Sequence, residues 1–418
     1  MKKLLLPLWM LIALNLYAQD GSLFKEDITD LASRNNLFAF EYYHYLSKKD
    51  SRNLFFSPFS IVTTMATLYA GSKGNTAEEL AGVFHFSQDV NQQNLDFLQL
   101  LNHYKSLNSS VLQLKMLHNF WVQSEYIFQE DYLKSISRHY QAYVKNLDFR
   151  LKPEESRKII NQEVKQQSQN MIPELLPQGF ITDRSRMIVT NLIFLDALWQ
   201  NPFDPLYNNK GVFYSGNSEI DGVDYMTSKN VLVNYYENNE YQLLEMPYQG
   251  ANLGMLLILP KQKDGIQRMS LDAEFYAEKS TISKQQEDSL LFEEINQDSV
   301  FFYHKVDIIF PKFKFNSTLN LKEDLIALGL GNSFQEAADF SEITGKNDLY
   351  LGEALHQTVV EVNETGTKAI AATAIGSVEK GITKPKVFKA DHPFVFIIRD
   401  RSNGVILFMG RVMNPLEK

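Results

Sequence analysis

The chain has 418 residues, a formal net charge of −9, 44% hydrophobic and 12% aromatic residues, and no cysteine. That composition can bury a large core, and it excludes a disordered chain, a disulfide scaffold and thiolate chemistry. The negative balance argues against nucleic acid or an anionic membrane as the main partner.

The first element is a leader. Lys2 and Lys3 precede an apolar run over 4–14, and Ala18 offers a small residue at a cut. So short a run cannot span a bilayer as a helix, so residues 1–18 read as an export signal ahead of one domain, 19–418. No later segment is long enough to be transmembrane. The expectation is a soluble protein, secreted or periplasmic.

The N-terminal half reads as helical. Leu31, Leu37, Phe38, Tyr42 and Leu46 fall near helical spacing over Asp30–Leu46. In NLFFSPFSIVTTMATLYAGSKG, Ser57 can cap a helix, Pro58 suits its first position and Gly71 can end it. Thr76 and Glu79 form a capping-box pair that predicts the start of another helix, and 153–176 reads as an amphipathic one. The middle turns to strands. The run MIVTNLIFLDAL over 187–198 suits a strand buried on both faces, and 243–260 reads as strand, turn, strand. A helix follows near 319–329, and PFVFIIRDRSNGVILFMGRV is a hairpin turning at Asn403-Gly404. Helices first and antiparallel strands later give an α+β class.

Nothing local suggests catalysis. The chain has no Walker phosphate loop, no dinucleotide fingerprint, no H-E-x-x-H and no G-x-S-x-G. Its eight histidines are scattered, and without cysteine a closed zinc site is not expected. The expectation is a protein that is not an enzyme and that takes no cofactor or metal.

One stretch stands apart from its aromatic neighbours: NETGTKAIAATAIGSVEKGITKPK, 363–386. Its residues allow a helix, a linker or a latent strand. Read as a strand, Thr367, Ala369, Ala371, Thr373 and Ile375 share a small uncharged face, and Lys368, Ile370, Ala372 and Ala374 share the other. Small side chains of that kind could enter a packed sheet without overfilling it.

Five motifs then resemble one family in order. NLFFSPFSI (53–61), TNLIFLDALWQNPFD (190–204), EMPYQGANLGMLLILP, ALHQTVVEVNETGTKAIAATA (354–374) and DHPFVFIIRDRSNGVILFMGRVMNP (391–415) are similar to serpin signatures, and the resemblance covers nearly all of 25–416. It implies about nine helices, three β-sheets and an exposed reactive-centre loop at about 364–386. It also implies the mode of action. A protease cleaves the loop and becomes acylated. The hinge (Glu364, Gly366, Thr367, Ala369, Ala371, Ala372, Thr373) then inserts into the main sheet and the attached protease is distorted. Thr367 to Lys380 would extend roughly 46 Å at about 3.3 Å per residue.

The family's cleaved bond follows the seventeenth residue counted from the hinge glutamate. Glu364 matches that glutamate, which makes Lys380–Gly381 the reactive bond and a trypsin-like serine protease the target. Lys384 precedes Pro385 and Lys386 abuts the next strand, so both are poorer choices. Lys368 and Ile370 depart from the family pattern, but both lie on the face opposite Thr367. By motif, Ser57, Ser60, Asn191 and His356 match a polar cluster under the main sheet. Trp199 and Lys312 match the top, with Lys312 pairing Glu364. Sequons occur at Asn108, Asn316 and Asn363. Residues 92–107 hold Lys105 as their one fixed cation, so no heparin cofactor is expected. The implied protein is a monomer that forms a covalent complex with its protease. The alternative is a serpin-fold protein that binds, stores or chaperones without inhibiting, and the small inward hinge residues favour the inhibitor.

Overall fold

The computed structural model describes residues 30–168, 170, 172–216, 218–267, 269, 271, 302–367 and 384–417. The leader 1–18 and, from the loop, Ala369, Ala371, Ala372, Thr373, Lys380 and Gly381 lie outside the described residues.

The described residues hold eight α-helices: α1 (30–49), α2 (Pro58–Tyr69), α3 (Gly74–Phe84), α4 (Val90–Ser106), α5 (Glu130–Tyr140), α6 (Pro153–Gln167), α7 (Leu321–Ala327) and α8 (Ser341–Thr344). The main sheet contains β2 (Leu112–Gln123), β3 (Tyr143–Leu147), β4 (Met187–Leu198), β10 (Phe313–Asn320), β11 (Glu353–Val362) and the two-residue β12 (Gly366–Thr367), in the order β10-β11-β12-β4-β2-β3. The second sheet contains β1 (Leu54–Phe56), β5 (Asn209–Ser215), β6 (Ser218–Glu237), β7 (Tyr241–Pro247), β8 (Leu253–Pro260), β9 (Phe302–Pro311), β13 (Lys386–Lys389), β14 (Phe394–Asp400) and β15 (Ile406–Val412). The family resemblance implies three sheets. Here β6 runs unbroken for 20 residues and bends at Asn230, where φ is 55°, so it pairs with β5, β7 and β9 and joins two of the three into one hydrogen-bonded set.

The main sheet is covered on both faces, which is why β4 reads as one apolar run. Met187, Val189, Ile193, Leu195 and Ala197 join the large core, and Ile188 and Leu192 join a smaller one with Trp121, Ile160 and Val164 of the α6 side. Helix α2 has all twelve residues buried, and the hydroxyls of Thr63, Thr64 and Thr67 are satisfied by donating to carbonyls four residues back in the helix. Its Ser57 hydroxyl accepts from the Ser60 N–H and Pro58 opens the helix.

Several boundaries differ from the sequence reading. Helix α6 stops at Gln167 rather than 176, and Pro173 bars a regular helix from running on to 176. Ile172, Leu175 and Leu176 are buried all the same, on a return segment whose N–H groups at 175 and 176 donate to Asn161 Oδ1. Helix α3 starts at Gly74, ahead of the capping-box pair. Thr76 Oγ1 accepts from Asp339 N and Glu79 from Asn332 N, so tertiary contacts use both side chains. Helix α2 ends at Tyr69, and a Cβ on Gly71 would meet Ile343 Cγ1 at 2.4 Å. Leu319 and Asn320 belong to β10, paired with His356 and Leu355, so α7 begins at Leu321.

Candidate functional site

The two central strands of the main sheet, β4 and β11, run parallel and pair only at their lower ends. Their register runs from Glu353↔Ile188 to Thr358↔Ile193. At the top the chain turns back after β11, and Gly366–Thr367 enters between them. Gly366 pairs with Leu198 and Thr367 with Ala197, antiparallel, and Thr367 also pairs with Val362 of β11. Phe194–Asp196 and Val359–Glu361 stand across from each other between these two junctions. The hinge is therefore seated as the first two residues of a strand.

Short-range chemistry makes this seat. Asn363 Oδ1 accepts from Thr365 N at 3.0 Å, Thr365 Oγ1 at 2.8 Å and Gly366 N at 3.2 Å, and Asn363 N donates to Gly366 O at 3.0 Å. That closes the turn in the manner of an Asx motif. The chain before β5 clamps it from outside: Trp199 N donates to Thr365 O, Phe203 N to Glu364 O, and Trp199 Nε1 to Asn363 O at 3.0 Å. The Trp199 ring stacks on Tyr248 with centroids 4.6 Å apart. Thr367 is 2% exposed and its hydroxyl lies 2.6 Å from Tyr248 Oη, so its side chain faces the core on the α2 side. Gly366 is required by space: a Cβ there would meet Ala197 O at 2.0 Å. Glu364 is held by Lys312 Nζ at 3.0 Å and by Asn208 Nδ2 at 2.5 Å. Burial pushes the Glu364 carboxyl up, but its own backbone N–H, Lys312 and Asn208 outweigh that and hold it below the usual carboxylate range.

Lower down, a row of polar side chains crosses the sheet on the α2 side. His118 of β2, Asn191 of β4 and His356 of β11 are in register. Ser57 N donates to His356 Nε2 at 2.9 Å, so that nitrogen carries no proton, and His356 Nδ1 donates to Asn191 Oδ1 at 2.7 Å. Ser60 Oγ donates to the same Asn191 oxygen at 2.8 Å. Asn191 Nδ2 reaches Ser60 O at 2.8 Å, Thr64 Oγ1 at 2.5 Å and His118 Nδ1 at 3.1 Å. Burial pushes His356 down to about 3, with a smaller contribution from His118, and pushes His118 down to about 4. The row thus holds two neutral imidazoles in a site that disfavours charge.

Of the residues singled out from sequence, Glu364, Gly366, Thr367, Trp199 and Lys312 meet at the top, and Ser57, Ser60, Asn191 and His356 meet under the parallel ladder. Sequence reasoning missed Thr64, His118, Asn208 and Tyr248. Thr64 sits at i+4 from Ser60 on α2, a helical spacing that could have flagged it. The other three come from separate strands and loops, and only sheet register brings them in.

The serpin (serine protease inhibitor) family model matches residues 33–415. An uncharacterized serpin-like protein of Methanosarcina mazei is 35% identical over 394 residues, which cover 92% of this chain and 88% of that protein. Human leukocyte elastase inhibitor is 33% identical over 390 residues, covering 92% of this chain and 99% of that protein. Among solved structures, Serpin48 of the insect Tenebrio molitor gives a TM-score of 0.76 at 28% identity, covering 94% of this chain and 98% of its own. Uncleaved ovalbumin gives 0.81 at 22% identity, covering 92% and 100%, a likeness of fold alone.

Proposed function

The chain belongs to the serpin family, and from that membership we propose that it is an exported suicide-substrate inhibitor of trypsin-like serine proteases. The observation that carries the reading is the seated hinge: Gly366–Thr367 already forms the top of a strand between β4 and β11. Lengthening that strand needs no new nucleation, only the parting of the ladder below it. The elastase-inhibitor relative supports protease inhibition, and Lys380 supports a target whose pocket takes a cation.

The register of the seat supports the direction of insertion. Continued antiparallel from Thr367, residue 373 falls opposite Asn191 when counted along β4 and opposite His356 when counted along β11. The two counts agree on one residue. Thr373 shares the face of Thr367, so its hydroxyl would enter the polar row between the two side chains that insertion separates.

The chemistry is that of an interrupted hydrolysis. The protease serine oxygen attacks the carbonyl carbon of Lys380 and the bond to the Gly381 nitrogen breaks. That nitrogen takes a proton and leaves as a new amino terminus, and Lys380 remains esterified to the protease. Water would complete the cycle, so trapping requires insertion to come first. The protein itself supplies no catalytic group, cofactor or metal in this scheme.

Incubation with trypsin, followed by a denaturing gel and intact mass, tests the reading. A denaturant-stable complex, with a released fragment starting at Gly381, is the expected result. Cleavage with no complex and no gain in heat stability would replace it with a non-inhibitory serpin.

A further inference from the structure

The C-terminal end of α4 is joined to the β14–β15 hairpin by one ion pair. His103, in the last turn of α4, donates from Nε2 to Asp400 Oδ2 at 3.0 Å. The Asp400 carboxylate is 1% exposed, and it also accepts from three neutral donors: Ser402 N at 2.8 Å, Ser402 Oγ at 2.5 Å and Asn403 Nδ2 at 2.9 Å. The His103 side chain is 41% exposed, and with Nε2 as the donor its Nδ1 takes a second proton without breaking the bond to Asp400. The hydrogen bond to Asp400 raises the His103 pKa; burial opposes that rise and the Coulombic attraction of Asp400 adds to it. A cation also suits the C-terminal turn of a helix. The groups around the pair are these. On α4, Lys105 is exposed and the Tyr104 ring lies 5.2 Å from the imidazole. On the hairpin, Arg399 and Arg401 both donate to Glu245. Helix α1 presents the uncharged Asn35 and Asn36 to the hairpin, and the β7–β8 turn presents the Asn252 carbonyl.

The pair joins two bodies that an inserted strand would separate. β4 carries β2 on an antiparallel ladder from Leu112↔Ala197 to Val122↔Met187, and β2 carries β3. These three strands move together when β4 parts from β11. The end of α4 is stapled to the start of β2: Leu114 N donates to Asn108 Oδ1 at 2.7 Å, and Asn108 Nδ2 to Lys105 O at 3.1 Å. Asp400 belongs to the other body. Its hairpin pairs with β8 and β1 and is tied to α1 by Asn36 Nδ2 donating to Gly404 O at 2.9 Å, and Thr358 Oγ1 of β11 donates to Phe55 O of β1 at 2.9 Å. Neighbouring strands lie about 4.8 Å apart, so a new strand shifts the β4 side by about that distance, which a 3.0 Å hydrogen bond does not survive. We infer that His103 and Asp400 form a pH-sensitive latch on the opening of the main sheet, tight when the imidazole is charged and slack when it is neutral. This rests on the insertion reading proposed above. Because the folded imidazole titrates above its usual value near 6.5, the tight form is in place below about pH 6.5 and is lost as pH rises beyond it. His118 and His356, depressed to about 4 and about 3, stay neutral across that range.

The experiment needs no protease, whose own activity varies with pH. The probe is an N-acetylated synthetic peptide with the sequence of residues 367–380, whose Lys and Glu side chains do not titrate between pH 6 and 8.5. Its insertion into the uncleaved protein is followed as the growth of a heat-resistant fraction. The rate is expected to rise about fivefold from pH 6 to 8.5, the difference between a charged and a neutral hydrogen bond to Asp400. His103→Gln keeps a neutral side chain, so its rate should be flat with pH and close to the parent's at pH 8.5. His103→Lys keeps a cation, so its rate should be flat and close to the parent's at pH 6. A parent rate that does not change with pH, or a His103→Gln variant that keeps the parent's slope, overturns the latch and leaves the insertion reading intact. A parent protein that takes up no peptide at any pH overturns both. Peptide uptake with the expected slope, in a protein that forms no denaturant-stable complex with trypsin, upholds the latch and overturns the inhibitor reading alone.

Discussion

Asn191 and His356 are joined by a 2.7 Å hydrogen bond that crosses from β4 to β11, which pair at this level and are parted above it by Gly366–Thr367. Neighbouring strands lie about 4.8 Å apart, so one strand inserted between them doubles the separation and breaks that bond. The polar row is a rivet of the closed sheet, and it is the contact that the proposed insertion would have to replace.

Because His356 Nε2 accepts from Ser57 N–H, its protonation costs a hydrogen bond as well as a buried charge. His356 and His118 are depressed to about 3 and about 4, so the native state binds fewer protons than the unfolded chain below about pH 6.5. Stability therefore falls as pH drops from 6.5 toward 4, by up to about 1.4 kcal/mol per pH unit for each histidine, and is flat with respect to both above 7. Denaturant titration between pH 7 and 4.5 should show this slope. His356→Gln should reduce it by about half; an unchanged slope would remove His356 as its source.

Thr367→Arg puts a cation where Thr367 now packs at 2% exposure against Tyr248. A buried, unpaired charge costs several kcal/mol, so the seat should be lost and insertion blocked. Trypsin should still cleave the loop but form no denaturant-stable complex. Normal complex formation by this variant would mean that insertion does not pass through the Tyr248 position.

Gly366→Ala tests the seat by space alone. A methyl group cannot stand 2.0 Å from the Ala197 carbonyl oxygen, so Gly366 and Thr367 should leave the sheet. Trp199 donates to Asn363 O within the same turn, so its fluorescence should shift as the turn is released. A spectrum identical to the parent, with unchanged hydrogen exchange at 366 and 367, would show the seat to be wider than the structure has it.

Lys312 and Glu364 are partly screened by water, with side-chain exposures of 32% and 17%, so their pairing should be modest. A double-mutant cycle with Lys312→Ala and Glu364→Gln should return about 0.5–1 kcal/mol of coupling by denaturant unfolding. Asn208→Ala should weaken the same carboxylate, because it donates to the same Glu364 oxygen. Coupling near zero would assign the clamp to Trp199 and Phe203 instead.

The sequence by itself determined the fold class and the parts list. The apolar run of β4 announced a strand buried on both faces, and Ser57 and Pro58 announced the start of α2. These are local signals, written in periodicity, caps and side-chain size within a few residues. The tertiary structure decided what such signals cannot carry. Thr76 and Glu79 look like a cap but serve Asp339 and Asn332, more than 250 residues away. His118, Asn191 and His356 become one row only through the pairing of β2, β4 and β11. The seating of Thr367 between Ala197 and Val362 depends on the register of three strands at once. Register is set by packing across the whole sheet, and no window of sequence contains it.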